Sequence, residues 1–251
     1  MLVMGILNVT PDSFADGGKH NDFESAVARG LEMIAEGVDI IDIGGESTRP
    51  GADRVSEAEE IARTIPVIKE LAKHGVKISI DTMRASTAEA AINAGASIVN
   101  DVSGGLADPL MLQTVARLKV PYIAMHWRGQ SKDMNSKAIY GDVVNDVISE
   151  LQERIDAALD AGIAKDNLII DPGLGFAKDA DHNWAIIDAI DQFVAMGYPV
   201  LVGASRKRFL GGDSPDEREQ ATIDLTKRLA PTGVWAVRVH SVKPHKEVLS
   251  A

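Results

Sequence analysis

Met4-Gly5-Ile6-Leu7-Asn8-Val9-Thr10-Pro11-Asp12 is the stretch on which the fold turns. An apolar run ends on an asparagine and passes into a proline-containing loop. An open, doubly wound α/β sheet usually carries a G-x-G-x-x-G turn after its first strand. No such turn follows here. Further along the chain, the same kind of unit returns. A short, β-branched apolar run leads into a polar loop with glycine, and then into a helical pattern. The later runs fall at residues 39–43, 76–80, 97–99, 122–125, 168–170, 200–202 and 235–239, which with the first makes eight candidate strands.

Helical periodicity fills the intervals. Residues 23–36 place Val27, Leu31 and Ile34 on one face. Residues 57–74 do so with Ile61, Ile65, Ile68 and Leu71, and residues 143–161 with Val147, Leu151, Ile155 and Leu159. Ser56 with Glu59 reads as a capping box at the second helix. Gly37, Gly75, Gly95 and Gly162 stand where a helix C-terminus favours glycine. Alternation of strand and helix implies parallel strands with crossover helices. Eight units of about 31 residues match the usual size of a (β/α)₈ barrel. The expected fold is therefore one α/β domain of TIM-barrel type over residues 1–251.

Composition narrows the function. With 45% hydrophobic and 25% charged residues, the chain reads as globular. It has no cysteine, which excludes disulfides and thiolate metal sites. The apolar start is too short for a signal h-region or a membrane span, so a cytoplasmic protein without membrane partners is expected. A formal net charge of -11 argues against general nucleic-acid binding. Local basic clusters at Arg206-Lys207-Arg208 and Arg238-Val239-His240 still suit an anionic ligand.

In a barrel the C-terminal strand ends carry the active site. Standing there are Asn8, Gly45-Glu46-Ser47-Thr48-Arg49, Asp81-Thr82, Asn100-Asp101, His126, Asp171, Ser205-Arg206-Lys207, and Arg238 with His240. A single Asp after a strand is more often a helix cap, and Asp101 and Thr82 can be read that way. Asp81, Asn100, Asp171 and Arg238 instead lie at or within the apolar runs. A charge buried in a strand costs several kcal/mol unless paired or functional. Asp81, Asn100 and Asp171 are acceptors suited to a planar heterocycle rich in N–H groups, such as a pterin or purine. Lys207, Arg238 and His240 suit a phosphate. Asn8 and Asp12 offer oxygen to a hard cation such as Mg²⁺. The rim thus divides into an acceptor half and an anion half, with Lys207 between them. Two glycine-rich loops, residues 11–18 and 44–51, have the composition of substrate-closing loops.

These motifs also resemble those of a known family. The stretch from Met4 to Gly18 is closely similar to the first signature of the dihydropteroate synthases, and Asp42-Ile43-Gly44-Gly45-Glu46-Ser47-Thr48-Arg49-Pro50-Gly51 to the second. Ser79-Ile80-Asp81-Thr82, Val99-Asn100-Asp101, Met125-His126, Asp171-Pro172-Gly173-Leu174-Gly175-Phe176, Gly203-Ala204-Ser205-Arg206-Lys207 and Arg238-Val239-His240 follow in the family's order. The runs at Met125-His126-Trp127-Arg128 and Ser205-Arg206-Lys207-Arg208-Phe209 look like actinobacterial members.

The resemblance implies condensation of a 6-hydroxymethyl-7,8-dihydropterin pyrophosphate with p-aminobenzoate in folate synthesis, a step that sulfonamides target. It assigns the pterin ring to Asp81, Asn100, Asp171 and Lys207, with Thr48 close by. Lys207, Asp81 and Asp171 become the catalytic set. Arg238 and His240 receive the pyrophosphate, and Asn8 receives Mg²⁺. Phe14, Arg49, Pro50 and Phe176 shape the p-aminobenzoate site. The resemblance also implies a homodimer. This sequence departs from the family pattern at Arg208, where many members have a small hydroxyl residue, and at Ser241, where an Asp is usual. Two other readings share parts of this rim. A methyltetrahydrofolate:corrinoid methyltransferase would need the acidic pterin rim but not Arg238 with His240. A non-catalytic pterin-binding barrel would need no intact set of substrate motifs.

Overall fold

The computed structural model describes residues 1–10, 19–46, 55–129 and 134–250. Eight strands appear in order: β1 (Leu2–Asn8), β2 (Ile40–Gly44), β3 (Lys77–Asp81), β4 (Ile98–Asp101), β5 (Tyr122–Met125), β6 (Leu168–Asp171), β7 (Leu201–Val202) and β8 (Ala236–Val239). Helices α1 (Lys19–Ala35), α2 (Glu57–Ala72), α3 (Ala85–Ala94), α4 (Met111–Leu118), α5 (Val143–Asp160), α6 (Ala180–Asp188), α7 (Ile190–Val194), α8 (Glu219–Leu229) and α9 (Val242–Ser250) lie between and after them.

From β1 to β6 each strand pairs in parallel with the next, β7 pairs with β8, and β8 pairs with β1. A parallel bridge between Ile170 and Val200 joins β6 to β7 and completes the ring. Strands in sequence order around a ring leave no switch point. The open-sheet alternative is therefore excluded, and the expected barrel is the fold.

Strand side chains alternate in direction with period two, and every strand here obeys one parity. Met4, Ile40, Ile98, Ile123, Ile169, Leu201 and Ala236 meet inside the barrel as an apolar floor, with Leu2 and Trp235 packed against it. The intervening residues face the helices. Val3, Leu7, Ile41, Ile43, Ile78, Ile80, Val99, Tyr122 and Ile170 join Met33, Leu71, Val147, Leu151 and Leu225 in the larger core. Two residues beyond the floor, the same parity turns Asp42, Asn100, Met125, Asp171 and Arg238 inward. Asp81 and Asn8 share that side through their strand register. On β2, β6 and β8 the inside of the barrel thus changes from hydrocarbon to charge in one step, and on β4 to an amide.

The helix ends follow local chemistry. Ser56 caps α2 by accepting from the Glu59 N–H. The reciprocal half of the expected box is not made, because the Glu59 carboxylate pairs with Arg63 instead. Gly37, Gly75, Gly95 and Gly162 end their helices with φ of 83°, 72°, 117° and 96°, where a side chain would be strained.

Candidate active site

The inward residues make a charged cluster at the barrel mouth. Arg238 on β8 reaches across the barrel to β2 and β3. Its Nε donates to Asp42 Oδ2 at 2.6 Å, and its Nη2 donates to Asp81 Oδ2 at 2.6 Å. Asn100 Nδ2 donates to the same Asp42 oxygen at 3.0 Å. Burial raises the Asp81 carboxyl above its usual range, and Arg238 opposes that rise. Asp171 is raised by the same burial, against a hydrogen bond from the Gly173 N–H at 2.7 Å and the charge of Lys207.

Lys207 follows β7. Its ammonium donates to the Leu174 carbonyl and lies 4.7 Å from the Phe176 ring centre. Burial lowers it to about 8, with Asp171 opposing. A lysine poised this close to neutrality suits a role in which its proton or charge is used. Gly44 and Gly203 leave room above the acids. A Cβ at Gly44 would meet Asp81 Cβ at 3.4 Å, and one at Gly203 would meet Asp171 Oδ2 at 3.7 Å.

His240, just past β8, is steered from behind. Its Nδ1 lies 2.9 Å from Ser205 Oγ, its N–H donates to the same oxygen at 3.2 Å, and its carbonyl accepts from Arg29 at 3.1 Å. Asn8 ends β1 with its side chain half-buried on the inward parity.

The expected halves of the rim are interleaved. Arg238 was placed with the anion set, yet it sits within the acid set, held by two carboxylates. The basic run at 206–208 also divides. Arg206 turns back, with φ of 58°, to bond Glu219 at 2.6 Å and Ser241 Oγ at 2.9 Å. Arg208 is exposed, and only Lys207 turns toward the acids. Phe14, Thr48, Arg49 and Pro50, and most of both glycine-rich loops, lie outside the described residues.

Two strand-end residues face away from the mouth. Asp101 points outward and accepts from Ser103 N–H at 2.8 Å, Ser103 Oγ at 2.6 Å, Gly105 N–H at 2.8 Å and Tyr122 OH at 2.8 Å. It organises a loop and caps no helix. His126 is 1% exposed and also turns from the mouth, toward Glu150 on α5 at 2.9 Å.

The sequence reading missed Asp42 and Lys178. Asp42 carried a signal, since a carboxylate two residues after Ile40 in a wholly buried strand must face the interior. Lys178 carried none, because its partner His126 comes from another strand end.

Burial first, then the Lys178 charge, lowers His126 from 6.5 to about 4. The unfolded chain takes up that proton as pH falls through 6.5, while the folded chain resists until about 4. Stability therefore drops across that window. The Glu150 carboxyl, lowered to about 2 first by its His126 hydrogen bond, extends the loss below 4.5. Urea unfolding midpoints at about pH 7 and about pH 5 check this: His126→Asn is expected to fall less than the parent. Parallel declines would exclude His126 as the responsible group.

A barrel with acids, an amide and desolvated cations gathered at its mouth has the build of an enzyme whose site lies at the strand ends. The model of the family described as pterin binding enzyme matches residues 4–240. The dihydropteroate synthase of Mycobacterium leprae is 50% identical, across 98% of this chain and 90% of its own length. A Xanthomonas albilineans dihydropteroate synthase solved with 4-aminobenzoic acid superposes with a TM-score of 0.93 at 43% identity, covering 99% of this chain and 90% of that one. The same organism's enzyme in complex with 7,8-dihydropteroate gives 0.90 at 40% identity, covering 99% and 91%. The chain belongs to the pterin binding enzyme family and, within it, to the dihydropteroate synthases, transferases of folate biosynthesis.

Proposed function

We propose that this chain joins 6-hydroxymethyl-7,8-dihydropterin pyrophosphate to p-aminobenzoate, giving 7,8-dihydropteroate and pyrophosphate. The observation that carries the reading is the inward cluster of Asp81, Asn100 and Asp171, beside Lys207 and Arg238, under a mouth kept open by Gly44 and Gly203. The acids and the amide accept the N–H groups of the ring and stabilise positive charge as the methylene C–O bond breaks. Lys207, Arg238 and His240 face the leaving diphosphate. The arylamine nitrogen forms the new C–N bond and releases its proton. Phe176 offers an apolar wall to p-aminobenzoate, with Phe14, Arg49 and Pro50 from the two loops completing that site, and Thr48 is assigned beside the pterin.

Among the described residues no group of three or more His, Asp or Glu side chains converges as a metal site. Mg²⁺ keeps several waters and commonly takes only one or two protein oxygens beside phosphates. The single amide oxygen of Asn8 at the mouth fits that mode. When bound, the cation would neutralise charge on the departing diphosphate. The same reading makes the chain one barrel domain over residues 1–251, acting as a homodimer in the cytoplasm. No helix among the described residues is long and apolar enough to cross a membrane, and the acidic net charge disfavours nucleic acid.

Mixing purified protein with both substrates and Mg²⁺ is expected to release pyrophosphate in step with dihydropteroate. Folded protein that releases none overturns the assignment.

A further inference from the structure

Lys178 lies in the loop between β6 and α6 and is only 9% exposed. Its Nζ makes three contacts: 2.8 Å to His126 Nδ1, 3.1 Å to the Gly173 carbonyl and 3.1 Å to the Phe176 carbonyl. Burial lowers Lys178 to about 7; in its charged form its three N–H donors serve all three acceptors, which a neutral amine could not do. With Nδ1 accepting, the His126 proton sits on Nε2 and is donated to Glu150 at 2.9 Å.

The contacts then return to their start. Arg128 Nε bonds the same Glu150 oxygen at 3.0 Å, and its guanidinium lies 3.8 Å over the Tyr140 ring. The Tyr140 hydroxyl donates at 2.9 Å to the carbonyl of Ala177, the neighbour of Lys178. The loop so enclosed holds Gly173, Gly175 and Ala177 at φ of 68°, 77° and 49°. Glycine takes this conformation freely, but Ala177 is strained in it and is held there by its surroundings, the Tyr140 hydroxyl on its carbonyl among them. A Cβ at Gly173 would collide with the His126 carbonyl oxygen, so loop and strand end touch at the backbone.

This loop supplies the mouth. The Gly173 N–H holds Asp171, the Leu174 carbonyl accepts from Lys207, and the Phe176 ring underlies the Lys207 ammonium. We propose that Lys178 and His126 are positioning residues, whose buried ammonium–imidazole contact fixes residues 173–176 and through them the Asp171 carboxylate and the Lys207 ammonium. Neither residue touches the ring. The inference rests on the pterin reading of the mouth.

Its test uses full-length parent, Lys178→Met, His126→Leu and His126→Asn, each checked for folding by circular dichroism. The probe is 6-hydroxymethyl-7,8-dihydropterin in calorimetric titration, followed by steady-state kinetics in both substrates. Asn places Oδ1 where Nδ1 of His126 accepts, so it keeps the Lys178 contact. Lys178→Met and His126→Leu are expected to weaken probe binding and kcat/KM by about 10- to 100-fold, as misplaced supporting groups do. KM for p-aminobenzoate should rise as well, because Phe176 belongs to the segment that Lys178 holds, and His126→Asn should recover most of both losses. Folded Leu and Met variants that bind the probe like the parent overturn the inference. So does an Asn variant as weak as Leu. If Lys178→Met does not fold, the His126 pair decides. A parent that binds no probe overturns the pterin reading and this inference with it, whereas normal parent binding confines any failure to the inference.

Discussion

Replacing Arg238 by methionine is expected to lower the unfolding free energy by about 3–5 kcal/mol, the usual cost of removing one partner from a buried ion pair. Arg238 bonds both Asp42, whose side chain is fully buried, and Asp81, 6% exposed. Without it two carboxylates share a desolvated site with no cation bonded to them. Oδ1 of Asp42 is already buried without a partner, so the loss of Arg238 leaves this carboxylate bonded by Asn100 at Oδ2. Urea unfolding at neutral pH measures the loss. Adding Asp42→Asn to Arg238→Met should recover part of it, because one of the stranded charges is removed. A loss below about 1 kcal/mol would show that the pair barely contributes. Activity should vanish as well, since the same guanidinium orders Asp81 and, in the proposed reaction, faces the leaving group.

Lys207→Ala is expected to separate chemistry from stability. It should reduce kcat by about 10²- to 10³-fold, the scale of losing one preorganised donor at a developing charge. The fold should persist, since the ammonium it removes is desolvated and its neutral form is favoured by burial. In the parent, activity that needs this ammonium should decline as pH rises through about 8, where Lys207 loses its proton. Pyrophosphate release against pH, with a thermal melt of the variant, checks both statements. A variant with the parent's turnover would remove Lys207 from the mechanism.

All eight strands could be read from the sequence because buried parallel strands are written as short apolar runs, and those runs needed no knowledge of their partners. β7 shows the weakness of the signal: only Leu201 and Val202 count as strand, and Val200 makes an isolated bridge. The rim residues Asp81, Asn100, Asp171 and Arg238 were legible for a related reason. A charge or amide at the end of an apolar run is locally anomalous. His126 looked the same in sequence, but it lies one residue past Met125 and so takes the opposite direction.

The alternation of elements, the parity of each strand and the residue types offered at the mouth are local properties of the chain, since they follow from nearest neighbours and period two. Which side chains meet depends on how the barrel closes. Arg238 and Asp42 are far apart in the chain and pair because β8 closes onto β1 beside β2. Lys178 meets His126 because β5 and β6 run side by side. Such pairings depend on closure of the ring and on the depth at which each side chain is desolvated, and neither is written in any local stretch.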